Sequence, residues 1–121
     1  MMSEQINQPD VWVMLRIISN TVQAKPVYKI LAGWYGGYAK DDTWKLNSGC
    51  TSVRTDGDYL VFTGSSGSRY RCHKNSYRTS YLTGSVLTDL QENTTTSTIQ
   101  LMPETTNFLE LDYERTNSRT C

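Results

Sequence analysis

Asp56-Gly57 stands between two strand-like runs, Cys50 to Thr55 and Asp58 to Thr63. A two-residue Asp-Gly loop between such runs marks a β-hairpin, because a type I′ turn needs φ > 0 at both central residues. Pairing around that turn sets Thr55 opposite Asp58, Val53 opposite Leu60 and Thr51 opposite Phe62. The chain reverses again at Gly64-Ser65-Ser66-Gly67, where glycine freedom and serine hydrogen bonding suit a loop. A third strand then runs from Ser68 to Lys74, giving a three-stranded antiparallel meander.

Alternation puts Arg69, Arg71 and His73 on one face of the third strand and Tyr70 and Cys72 on the other. A four-residue second loop sets the arginines on the face of Leu60 and Phe62. A loop one residue longer or shorter reverses that choice. Both faces carry apolar residues, so the sheet is expected to be covered at least partly on both sides.

The flanks extend the β reading. Val11 to Ile18 (V-W-V-M-L-R-I-I) has the β-branched, apolar composition of a buried strand. A helix capped by Asp10 after Pro9 is the alternative. Val27 to Tyr35 reads as a second strand, followed by Gly36-Gly37 and a polar loop to Thr43. Ser85 to Glu92 suits a short helix capped by Ser85, with Val86, Leu87 and Leu90 as its apolar stripe. Thr98 to Met102 and Asn107 to Tyr113 suggest a last hairpin around Pro103-Glu104-Thr105-Thr106, with Leu109, Leu111 and Tyr113 alternating with Glu110 and Asp112 as in a half-buried strand. The expected fold is a single β-rich α+β domain over residues 10–114. It is an antiparallel sandwich or partly open barrel of about seven strands with one short helix. Residues 1–9 read as a disordered arm and 115–121 as a flexible tail.

Length and charge narrow the function classes. The chain has 121 residues, a single-domain length, and 12 basic residues balance 12 acidic ones. A duplex-DNA binder normally shows a basic excess, so that class is disfavoured. The mean hydropathy is −0.53, and no apolar run approaches the ~18 residues of a membrane span. The N-terminus lacks the basic and apolar regions of a secretory signal, so a cytoplasmic location is expected. Cys50, Cys72 and Cys121 are an odd count at wide spacing, read as reduced thiols. No metal or other cofactor is implied, because there is no C-x-x-C and His73 is the single histidine.

Catalytic readings fare poorly. A Ser-His-Asp site would need His73 as its base, and nothing resembles a nucleophile elbow. Cys72 and His73 are adjacent on one strand and point to opposite faces, so they do not pair readily. The chain is read as a non-enzymatic binding protein. Its candidate ligand groups cluster in the middle, where Arg69, Arg71, Lys74 and Arg78 occur with no acidic residue between Gly64 and Thr88. Ser65, Ser66 and Ser68 belong to a small polar loop whose N–H groups could converge on an anion. Guanidinium forks at Arg69 and Arg71 suit phosphate, and Trp44 is an aromatic near enough in sequence to stack on a base. The bland reading is also complete: turns, core aromatics and a solvated basic face. The acidic end beyond Asp89 and the exposed aromatics offer a second function class, a protein interface.

W-K-L-N-S-G from Trp44 to Gly49 and S-G-S-R-Y-R-C-H-K from Ser66 to Lys74 resemble small uncharacterised proteins of phages and mobile elements. The resemblance covers about a third of the chain and implies a phage or bacterial cytoplasmic setting. Proteins of that kind often act by sequestering a nucleotide signal or blocking a host defence complex. The expected partner is an anionic, nucleotide-like small molecule or a host protein, and a homo-oligomer is compatible with either.

Overall fold

A computed structural model describes residues 6–38 and 41–113. Among them are eight strands: β1 (Ile6–Asn7), β2 (Val11–Ser19), β3 (Val27–Trp34), β4 (Thr43–Leu46), β5 (Cys50–Asp56), β6 (Tyr59–Gly64), β7 (Arg69–His73) and β8 (Ser97–Leu101). One α-helix, α1, spans Tyr81–Asn93. The first sheet has the order β1-β7-β6-β5 and the second β4-β3-β2-β8. They pack face to face without closing into a barrel, so the domain is a sandwich-like α+β fold. The described residues contain no helix long and apolar enough to cross a membrane.

β2 is a strand, and its unbroken apolar run has a physical cause. Trp12 and Met14 enter the core between the sheets, where they meet Ile30, Leu60, Phe62 and Phe108. Val13 and Leu15 point the other way and pack with Leu31 and Leu87, beneath α1. A central strand buried on both faces cannot alternate apolar with polar. Gly33 lets the start of α1 approach, since a Cβ there would lie 2.7 Å from Thr83 Cγ2. The second sheet is therefore covered on both faces. The first sheet, which contains the meander, is covered on only one face by described elements, so the expectation that its two faces are covered is not met there.

The helix begins earlier than the sequence pattern indicated. Ser80, not Ser85, is the N-cap, with reciprocal bonds between Ser80 and Thr83 forming a capping box. The last hairpin is absent. β8 pairs instead with β2, and Phe108–Glu110 form a short 3₁₀ turn capped by Asn107, whose side chain accepts from Leu109 N–H. Phe108 and Tyr113 insert into the core while Leu109 is exposed, which reverses the burial that strand alternation assigned to Leu109. Ile6–Asn7, read as part of a disordered arm, pair in parallel with Arg69 and Tyr70. The tail at 115–121 lies outside the described residues.

The hairpin is present with a shifted turn. Asp56 pairs with Tyr59, Thr55 with Leu60 and Val53 with Phe62, so the two loop residues are Gly57 and Asp58. Gly57 has φ +62 and no non-glycine residue among the described ones has positive φ, so Asp58 does not, which is the sign pattern of a type II′ turn rather than I′. The shift is two residues, an even number, so Val53, Leu60 and Phe62 keep a common face. Gly57→Val is expected to destabilise the domain by about 1–3 kcal/mol through backbone strain. A Cβ at Gly57 would meet nothing within 4 Å, so steric contact does not confound the measurement. Gly57→Asn, whose side chain tolerates φ > 0 better, should lose less in the same urea titration. Equal stability of Gly57→Val and wild type would contradict the strained-turn account.

Candidate functional site

The second meander loop decides which way the basic strand faces. Thr63 pairs with Arg69, so residues 64 to 68 form a loop one residue longer than the four-residue case. That extra residue puts Tyr70 and Cys72 beside Phe62 and Leu60 in the core. Arg69, Arg71 and His73 face outward instead, away from Leu60 and Phe62.

Three cross-strand rows build the outer face. Asp56, Tyr59 and His73 form one, Arg54, Val61 and Arg71 the next, and Ser52, Thr63 and Arg69 the third. Arg54 and Arg71 flank Val61 with backbones about 10 Å apart, two strand spacings. Val61 is only 3% exposed although it faces outward, as expected when long side chains on flanking strands lie over it.

Arg71 is held on this face by two contacts. Its guanidinium carbon lies 3.6 Å from the Tyr59 ring centroid, and its Nε donates to Asp56 Oδ2 at 3.1 Å. The His73 ring meets Tyr59 edge-on at 4.8 Å. Only Nε of Arg71 is engaged among the described residues, so its two terminal nitrogens can donate to an approaching carboxylate or phosphate.

Most backbone donors of the Ser/Gly loop expected to cradle an anion have partners within the protein. Asn47-Ser48-Gly49 carries the chain from the second sheet to the first and lies against the loop at 64–68. Ser65 N–H donates to Gly49 O at 2.8 Å and Ser66 N–H to Ser48 Oγ at 3.0 Å. Gly64 N–H is taken by Ser68 O and Gly67 N–H by Gly64 O. The donors that would converge on an anion already close the loop onto its neighbour. Asn47 is buried and ties both sheets, accepting from Ile30 N–H and donating to Cys50 Sγ. These bonds explain the N-S-G and S-G-S segments structurally.

The remaining candidates are dispersed. Lys74 begins a 3₁₀ turn at the far end of β7, about 20 Å along the chain from Ser68 by strand rise. Arg78 lies beyond that turn, and its N–H donates to Trp12 O. Trp44 sits on edge strand β4 beside a shallow groove shared with Ile6, Gln8 and Trp34. Thus Arg69 and Arg71 share a surface, the three serines share a loop at its end, and Lys74, Arg78 and Trp44 lie elsewhere. Arg54, Tyr59 and Asp56, which belong to the face, were missed because their membership depends on strand register. His73 is separated from the serine loop and points away from Cys72, and its Nδ1 accepts from Asn75 N–H at 3.0 Å. Among the described residues no three His, Cys, Asp or Glu side chains gather as metal ligands.

No family model, curated protein or solved structure matches the chain.

Proposed function

We propose that the protein works by docking an acidic protein surface onto the outer face of its first sheet. The observation that carries this reading is the position of Arg69 and Arg71. They stand on a sheet face beside Arg54, and neither lines the cavities around Trp12, around Ser80 or around Trp44, whereas a small-ligand site is normally concave. Arg71 is held by Tyr59 and Asp56 before any partner arrives, which lowers the entropy lost on binding. Stacking of single-stranded nucleic acid is less favoured, because Arg71 already covers a face of Tyr59, the aromatic ring among these outward rows. In the phage setting that the sequence resemblance implies, the partner is a host protein and the role is that of an inhibitor or adaptor.

The test replaces Arg69 and Arg71 together by Gln. The exposed Arg71–Asp56 pair contributes at most about 1 kcal/mol, so the variant is expected to fold. Wild type should capture a specific acidic protein from host lysate, with capture weakened by salt and by the double substitution. Calorimetry against nucleotides should show no binding to either form. Saturable nucleotide binding lost in the variant would replace this reading with the small-ligand one. Identical capture by both forms would remove the face from the function.

A further inference from the structure

A second feature lies at the other end of β7. The 3₁₀ turn at Lys74–Ser76 and the segment from Glu104 to Leu109 enclose a cavity of about 270 Å³. Trp12, Tyr77 and Phe108 supply aromatic walls, with ring centroids 4.7 to 5.3 Å apart. Lys74 and Glu104 line the same space with opposite charges, and neither forms an ion pair within 4.0 Å among the described residues. Glu104 is near enough to Tyr77 to help raise its pKa, after the larger effect of burial. Asn107 uses its Oδ1 on Leu109 N–H, which leaves its amide nitrogen as a neutral donor on the wall.

We infer that this cavity binds a small zwitterion carrying an aromatic group, the chemistry of a free aromatic amino acid. A ligand ring gains edge contact from Tyr77 and apolar contact from Leu109, above a floor set by the buried Trp12 and Phe108. A carboxylate placed toward Lys74 and an ammonium toward Glu104 satisfy both unpaired charges at once, which a singly charged ligand does not. The volume lies just under the ~300 Å³ at which drug-sized sites begin, so the occupant is small.

The test uses NMR, following the Trp12 indole N–H, which donates to His73 O. L-phenylalanine should shift this signal saturably. 3-Phenylpropionate lacks the ammonium and phenethylamine lacks the carboxylate, and each should bind about tenfold more weakly or worse, given the strength of charge-assisted hydrogen bonds. Lys74→Gln should erase the preference for phenylalanine over phenethylamine. Glu104→Gln should erase the preference over phenylpropionate. Both side chains are exposed, so both variants are expected to fold. Absence of a saturable shift, equal affinity for the three compounds, or discrimination that survives either substitution would overturn the assignment. The R69Q/R71Q variant should titrate like wild type, so this result is independent of the sheet-face reading.

Discussion

Trp12→Ala should lower unfolding free energy by about 3–5 kcal/mol, the range for removing a large buried aromatic. Trp12 is 1% exposed and is the hub of the aromatic core. Its ring lies 5.5 Å from Phe62, 4.7 Å from Tyr77 and 5.2 Å from Phe108. Its indole N–H donates to His73 O at 2.8 Å, tying β2 to the end of β7 across the two sheets. Alanine removes the packing and leaves that carbonyl without this donor. Native domains are stable by about 5–15 kcal/mol, so the loss is a large fraction of the total. Trp12→Phe should fall between the two, since it keeps most of the apolar contact and loses the hydrogen bond. Trp44→Ala, at an exposed edge, should change stability far less. Urea titration of the four proteins checks the order. A Trp12→Ala loss no larger than that of Trp44→Ala would mean that the inter-sheet core is not organised as described.

Local signals were legible where they coincide with packing. β2 could be read because an eight-residue apolar run is what a doubly buried strand requires. Gly57 marked a turn because its positive φ is a local demand. The turn type was not legible, since Asp-Gly at I′ positions and Gly-Asp at II′ positions use the same residues one place apart. Adding a residue to the second loop reversed the face of Arg69 and Arg71, and no local preference among Gly, Ser and Ser fixes that length. Core demand decides it, because Tyr70 and Cys72 fill the inter-sheet space better than two guanidiniums would. Leu109, Leu111 and Tyr113 alternated like a strand, yet Asn107 caps a 3₁₀ turn there and Phe108 takes the buried place. The candidate site was legible as a basic strand and illegible as a surface. Arg54 joins Arg71 only through the register of β5 against β6, and Lys74 is off the face because it follows His73 directly, where alternation points the other way and the strand ends.

The domain should also lose stability as pH rises from about 9 toward 12, and Cys50 is the main reason. Burial pushes the Cys50 thiol from 9.0 up to about 12, with the Asn47 and Ile30 hydrogen bonds opposing the shift in part. Cys72 is raised in the same direction by burial and, secondarily, by Cys50. Above pH 9 the unfolded chain releases these protons while the folded chain retains them. The unfolded state then binds fewer protons, so unfolding free energy falls with pH. Stability is fully present below pH 9 and is lost through the folded value. One proton over about three pH units corresponds to a loss on the order of 4 kcal/mol. Tyr77 adds loss of the same sign between 10.0 and about 12, chiefly through burial. Urea titrations at pH 7, 9 and 11 under a reductant measure the slope. Cys50→Ala should cost stability at pH 7, since it leaves a small cavity and removes the acceptor of Asn47, but its decline above pH 9 should be shallower by about one proton. A wild type equally stable at pH 9 and 11, or a Cys50→Ala curve parallel to it, would show that the Cys50 thiol does not control alkaline unfolding.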